Sequence, residues 1–501
     1  MNNQTNPPSA ASFPPSHSLP DLPEFTTHIE RANSPFRQSL FAFAIIIIAA
    51  GLAVPLLVRG ADWFGESTNA RSPMGQILWG STLCFGIVMY AAFAWRVLLW
   101  RRYQPMESVA DDGLPFASLI IPAFNEGPLV RQAILSAAAS RYPRDRFEII
   151  AIDDGSDDDT WAHILAAAGD VPLGVHITTL RQPRNLGKRQ ALYRGFRIAR
   201  GDVFVTLDSD SVLSPDALRN AVSPLVIEPE VGCVAGCVEV LNPGESIFTR
   251  FLKTTFSLSF KFVRAYQNEF RGVFCTPGAL SVYRADVVRR LAGEWAGQTF
   301  LGRTCTTGED RAMTNLFLRE GWLTAYQQNA VVRAKMPHTY RGLTAMFLRW
   351  ARSNLRETWV LWRFLFTPFR RHEIGAFRLN MVLATLALVL PSFMIVGGLR
   401  LMWESDGFIW RQLALMGLWS TTSAVIYYRN ERDRDWVYLF GYQFFWVACL
   451  SWIIPYAAAT IGCNGWLTRT AAIRTKDPRS TPVSPASAFS PGDGTPDAIA
   501  A

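Results

Sequence analysis

No glycine-rich phosphate loop punctuates this chain. Neither Gly-x-Gly-x-x-Gly nor a Walker segment occurs, which argues against a dinucleotide or NTPase site. Cysteine is sparse, 7 in 501 residues, and none of it carries metal-ligand spacing. Cys233 and Cys237 fall in Val-Gly-Cys-Val-Ala-Gly-Cys-Val, which reads as a strand with small residues, so buried thiols are expected. The net charge is +8, yet the basic residues form no stripe with a recognition motif, and no nucleic-acid partner is expected.

Charge itself is missing from five stretches: Leu40 to Val58, Ile77 to Trp95, Met381 to Leu399, Gln412 to Tyr428 and Trp436 to Gly462. About 20 apolar residues cross the roughly 30 Å of hydrocarbon in a bilayer. One such stretch fits a buried core helix, but five clustered at the two ends of a chain that is 49% hydrophobic predict an integral membrane protein. The first stretch lies too far from Met1 for an ordinary signal peptide and reads as a retained helix. Arg96, Arg101 and Arg102 follow the second closely, so the positive-inside rule puts the middle of the chain in the cytosol. Multi-pass residence in the plasma membrane, with membrane lipid as a partner, is the expected localisation.

What fills the polar middle is an alternation of strand and helix. Ala117 to Pro122 is an apolar strand ending in Pro-Ala-Phe-Asn125-Glu126, followed by an amphipathic stretch from Leu129 to Ser140. Phe147 to Ile152 leads to Asp153-Asp154-Gly155-Ser156 and a helix to about Ala168. A strand near Val175 to Leu180 leads through Asn185-Leu186-Gly187-Lys188 into the helix Gln190 to Ala199. Val203 to Leu207 then delivers Asp208-Ser209-Asp210. The alternation predicts a parallel sheet with right-handed crossovers. Ligands bind at the strand ends of such sheets, where Asp208 and Asp210 can share a hard divalent cation, Asp153 can accept from a base or ribose, and Lys188 can meet a phosphate. The plainer alternatives are an Asx turn for Asp-x-Asp and a helix cap for Asp-Asp-Gly-Ser.

These four motifs occur in the order and approximate spacing of the processive family-two membrane glycosyltransferases, which the chain resembles over residues 114 to 365. Thr307-Gly308-Glu309-Asp310-Arg311 resembles the base motif of hyaluronan and chitooligosaccharide (chitin) synthases, and Arg349-Trp350-Ala351-Arg352-Ser353 resembles their Gln-x-x-Arg-Trp signature. The resemblance implies an α/β glycosyltransferase-A fold, a Rossmann-like mixed sheet, as a cytosolic domain between transmembrane helices. It divides the chain into disordered tails at 1–35 and 475–501, a transmembrane hairpin at 36–102, a catalytic domain at 114–335, amphipathic interfacial helices at 336–375, and about three transmembrane helices at 376–466. The implied function is inverting, processive transfer from a UDP-sugar donor to a growing β-linked polysaccharide acceptor that contains N-acetylglucosamine, coupled to export.

Roles follow from that chemistry. Asp310, beside Glu309, is the base that takes the acceptor proton, with the helix dipole favouring its ionised form. Asn125, Glu126, Asp153, Asp154, Lys188 and Asp208 hold the donor. Asp208 and Asp210 carry Mg²⁺ or Mn²⁺ on the diphosphate. Arg349 adds positive charge there, Trp350 offers a sugar its ring, and Arg311 joins Trp350 at the acceptor. The alternatives are a helix cap for Glu309-Asp310 and an interfacial helix for the Arg-Trp segment. Ser246 to Phe270 reads as a second interfacial helix. Met346 stands where the signature has Gln and cannot donate a hydrogen bond, which points to weakened or displaced acceptor holding. Cys463 to Arg469 distantly resembles a Trp-Gly-Thr-Arg segment that must be cytosolic, whereas three preceding helices would put it outside. Two other functions stay open: loading one sugar onto a membrane lipid, and a silent subunit that senses nucleotide sugar.

Overall fold

The computed structural model describes residues 73–370, 377–389 and 408–463. The expected tails, the first apolar stretch and the segment Asn464 to Arg469 lie outside them. Helix α1, Pro73–Arg102, covers the second apolar stretch and ends in Arg101 and Arg102.

The strands form where apolar runs predict them: β1 is Ala117–Ala123, β2 Phe147–Asp153, β3 His176–Arg181 and β4 Val203–Leu207. Helices α2 (Leu129–Ala138), α3 (Thr160–Asp170) and α4 (Lys188–Ile198) connect them. β1, β2 and β4 are buried along their whole length, which is why they read as continuous apolar runs rather than alternating ones. Beyond this half the sheet becomes mixed, as the resemblance implies. After β5 (Ser211–Leu213), α5 (Ala217–Ile227) and β6 (Val231–Val240), strand β7 (Leu280–Arg284) inserts antiparallel between β4 and β6. With β10 (Leu323–Ala334) the eight-stranded mixed sheet has the order β3-β2-β1-β4-β7-β6-β10-β5.

Between β6 and β7 runs α6 (Ile247–Ser257), capped reciprocally by Ser246 and Thr249, then a π-helical turn, Leu258–Arg264, then α7 (Ala265–Asn268). After α8 (Ala285–Ala296), a hairpin of β8 (Thr299–Phe300) and β9 (Arg303–Thr304) leads into α9 (Glu309–Arg319). Helix α10, Tyr340–Leu365, carries the Arg-Trp segment, followed by α11 (Phe377–Val389) and α12 (Phe408–Glu431).

The last apolar stretch comprises α13 (Val437–Phe445), a π turn and α14 (Ile453–Ala459). Arg434–Ala459 is long and apolar enough to cross a membrane. One side of it nevertheless packs on α6 and α10. Asp433 and Asp435 pair with Lys253 of α6, Phe251 stacks near Tyr442 and Phe445, Phe347 meets Trp446, and Arg352 of α10 donates to Thr460 Oγ1. Gly462 then accepts from Arg303 of β9.

Candidate active site

At the C-terminal ends of β1 to β4 the chain is stitched by its own backbone and hydroxyls. Asn125, at φ 52°, turns the chain after β1; its amide donates to Ser156 Oγ and its Oδ1 accepts from the Asp157 amide. Glu126 Oε1 accepts from Ser209 Oγ at 3.1 Å, which joins this turn to the Asp208-Ser209-Asp210 turn. Asp153 is fully buried: Oδ1 accepts from Ser156 and Oδ2 lies 3.1 Å from Arg181 Nε. Asp154 accepts from the amides of Leu186 and Gly187 and from Gln182 Nε2 at 2.6 Å, so it shapes the loop that precedes Lys188. Burial pushes its carboxyl up to about 6, against those backbone donors. Gly155 and Gly187 both have positive φ, and a Cβ on Gly155 would strike the Arg184 backbone.

Lys188 is the first residue of α4, and its ammonium lies 2.5 Å from Asp208 Oδ1 and 2.9 Å from Glu309 Oε1. Burial works against that charge, and the two carboxylates outweigh it, so Lys188 titrates above the usual lysine value. The close approach needs Gly278, since a Cβ there would lie 2.6 Å from Lys188 Nζ. Lys188 is therefore committed to two acids rather than waiting alone for a phosphate. Asp210, on the turn beyond Asp208, has Ser211 Oγ beside its Oδ1 and its carbonyl bound by the Lys335 amide.

Glu309 and Asp310 begin α9 after Gly308, whose φ of 72° and contact with Ser353 leave no room for a side chain. No side chain caps this helix. Burial disfavours an ionised Glu309, but Lys188 prevails and holds its pKa at about 2. For Asp310 the expected stabilisation by the helix dipole is overturned: burial, reinforced by Glu309, raises its pKa above the usual aspartate value. Asp310 Oδ1 accepts from the Arg311 amide, while Oδ2 has the Gly278 amide at 3.3 Å and Cys275 Sγ at 3.6 Å. The two adjacent acids are thus shifted in opposite directions, Glu309 down and Asp310 up.

A buried network that sequence reading missed holds this motif in place. Glu357, fully buried on α10, pairs with Arg356 at 3.0 Å and accepts from Gln298 and Asn315. Arg356 in turn donates to the Thr307 carbonyl. Arg311 donates to Asn354 and to Thr358 Oγ1 at 2.8 Å, so its guanidinium also ties α9 to α10. The Arg-Trp segment thus meets the base motif through Ser353, Asn354, Arg356 and Thr358, one to two turns past Arg349. Trp350 packs by Phe256 and Phe347, with centroids 6.0 and 5.8 Å away. Met346 is buried in the core with Leu343 and Leu348. Arg356 and Glu357 carried one signal in the sequence, an adjacent Arg-Glu pair inside a long helix.

Beyond Cys275 and Arg311 opens a cavity of about 210 Å³, lined also by Arg264, Gln267, Asn354 and Thr358 and, on α11, by Met381 and Leu388. Asp310 thus stands near the Lys188–Asp208 pair, and Cys275 beside it lines a cavity bordered by an apolar helix. Among the described residues no group of three or more His, Cys, Asp or Glu side chains forms a ready-made metal cage.

A family profile described as "Glycosyltransferase like family 2" matches residues 115–353. An "N-acetylglucosaminyltransferase" of Azorhizobium caulinodans is 32% identical over 274 residues, covering 53% of this chain and 68% of the relative. Another, from Bradyrhizobium diazoefficiens, is 28% identical over 373 residues, covering 72% and 73%. Among solved structures, a mannosyltransferase of Pyrobaculum calidifontis in complex with GDP-Man and Mn²⁺ aligns with a TM-score of 0.47 at 20% identity, covering 79% of this chain and 99% of that one.

Proposed function

The chain belongs to glycosyltransferase family 2 and is a glycosyltransferase, and from that premise we propose that it transfers N-acetylglucosamine from UDP-N-acetylglucosamine to an acceptor hydroxyl with inversion. Repeated transfer, alone or in alternation with a second sugar, would build a β-linked polysaccharide that contains N-acetylglucosamine and leaves through the membrane. The observation that carries the reading is the split pair Glu309–Asp310, set between the Lys188–Asp208 ion pair and the cavity behind Cys275.

Each residue has a task. Asp310, with its raised pKa and its oxygen toward Gly278 and Cys275, takes the acceptor proton as the new bond forms. Lys188 keeps Glu309 ionised, pairs with Asp208 before the donor arrives and supplies positive charge beside the leaving group. Asp153 and the loop shaped by Asp154 hold the nucleoside, and Arg349 adds charge from α10. Asp208 and Asp210 suit a cation that arrives with a diphosphate, since Mg²⁺ typically takes one or two protein carboxylates and fills its sphere from phosphate and water. When bound, Mg²⁺ or Mn²⁺ would neutralise charge on the departing UDP.

The cavity supports an acceptor path on the α11 side of the base. Its apolar wall favours a second reading, transfer of a single sugar to a membrane lipid. We read α6, α10 and the Arg434–Ala459 helix as lying flat at the cytosolic membrane surface, which would leave the segment after Cys463 on the catalytic side.

Purified protein in lipid, given labelled UDP-sugars and Mg²⁺ or Mn²⁺, tests this. Incorporation from UDP-N-acetylglucosamine into a product that lengthens with time is expected. A product one sugar long would select the lipid reading, and no incorporation from any donor would reject the proposal.

A further inference from the structure

The cavity behind Cys275 carries a charge pattern that the transfer step does not use. At about 210 Å³ it falls below the roughly 300–1,000 Å³ of sites for drug-sized ligands. It therefore takes one sugar ring, or one charged group with the first atoms of its substituent. Phe274, Leu361, Met381 and Leu388 make an apolar wall, and two guanidiniums, Arg264 and Arg311, stand among the polar residues; no Asp or Glu lines it.

The two arginines are only partly satisfied. Arg311 spends its terminal nitrogens on Asn354 and Thr358, and its Nε is buried without a partner. Arg264 lies over the Phe260 ring at 4.1 Å, its Nε is likewise buried without a partner, and it has no carboxylate partner among the described residues. A half-buried cation without a counter-charge is costly, and a ligand that brings negative charge relieves the cost.

We infer that this cavity is an anion-accepting acceptor subsite, in which a carboxylate or phosphate of the acceptor meets Arg264 and Arg311 while the accepting hydroxyl faces Asp310. The inference rests on the glycosyl-transfer reading, because it is the acceptor that enters here. The placement follows from Cys275, which lines the cavity and lies 3.6 Å from Asp310 Oδ2. Arginine suits the task because its planar fork matches the oxygens of carboxylate and phosphate. The negative group has two sources of the same chemistry, a uronate in the sugar chain or the phosphate that links a sugar to a membrane lipid.

Protein in lipid nanodiscs, with labelled UDP-N-acetylglucosamine and Mn²⁺, is offered methyl β-glucuronide, citronellyl-phosphate-linked N-acetylglucosamine and neutral methyl β-glucoside. At least one charged acceptor is expected to show a KM about ten- to a hundredfold below the neutral one, the range of a charge-assisted hydrogen bond. The better charged acceptor names the source. Arg264→Gln should collapse the ratio of the two KM values, Arg264→Lys should keep part of it, and added KCl should narrow it in the parent protein, a readout that needs no variant. Equal KM values, or a ratio that survives both Arg264→Gln and salt, would overturn the inference. If no acceptor receives sugar, the transfer reading fails instead. The subsite is then decided by calorimetric titration of citronellyl phosphate against citronellol into UDP-saturated protein, where selective binding of the phosphate upholds it and equal binding rejects it.

Discussion

Asp153–Asp154 and Glu309–Asp310 are both adjacent acids at the mouth of one sheet, and the protein treats them oppositely. In the first pair each carboxylate is held by its own chain: Ser156 donates to Asp153 and Arg181 forms an ion pair with it, while Leu186, Gly187 and Gln182 donate to Asp154. In the second pair Glu309 is paired with Lys188, while Asp310, held at one oxygen by the Arg311 amide, keeps another whose nearest partners are a long backbone contact and a thiol. Vicinal acids look alike in sequence; the distribution of donors around them sets the two pairs apart.

The sharpest way to break the comparison is to neutralise the reactive member. Asp310→Asn should lower kcat by about 10² to 10⁴, the usual worth of a positioned base, with thermal stability retained. Because burial and Glu309 raise the Asp310 pKa, the rising limb of the kcat–pH profile should lie above the ordinary aspartate value of about 3.9. A profile flat down to that value would assign the base elsewhere.

Removing the cation between the two regions comes next. Lys188→Met leaves Asp208 and Glu309 facing each other in a largely buried site, and loss of one partner of a buried pair typically costs about 3–5 kcal/mol. Urea unfolding should show that loss together with a raised donor KM. A variant as stable as its parent would mean that the ion pair carries no load in the folded protein.

A smaller effect is expected from Asp154→Asn. The amide can accept from only part of the donor set, and a buried unmet donor costs about 1–3 kcal/mol. The pH dependence has a definite sign. With a folded pKa of about 6, above the unfolded value near 3.9, the carboxyl's contribution to stability is present at low pH and lost as pH rises through about 6. The deficit of the variant should therefore shrink between pH 4 and 7. A pH-independent deficit would show that Asp154 is ionised throughout.

The N-terminal half of the sheet was legible because β1, β2 and β4 are buried on both faces and end in polar turns. The antiparallel insertion of β7 was not, since it depends on pairing with β4 across more than seventy residues. The strand-end acids were legible as a cluster at one sheet edge but not as a network: nothing local in Lys188 announces Glu309, more than a hundred residues away, or sets Gln298 and Asn315 against Glu357. The helix-start motif suggested an ionised Asp310, and burial reversed that, because desolvation depends on what packs over the helix start and not on the helix itself.

Met346 is the mildest test of the contrast between acids that shape and acids that react, because it probes whether acceptor holding lies on α10 at all. Its departure from the signature glutamine suggests altered contact with the acceptor, but the side chain is only 5% exposed and packs among Leu343, Leu348 and Ala351. An amide introduced there would lose water without gaining a partner, at about 1–3 kcal/mol. Met346→Gln should therefore lower the melting temperature modestly while turnover per folded enzyme and product length, read on a sizing gel, stay as they were. A longer product from the variant would show that this face of α10 turns toward the acceptor during synthesis, and acceptor holding would then have to be shared between α10 and the cavity behind Cys275.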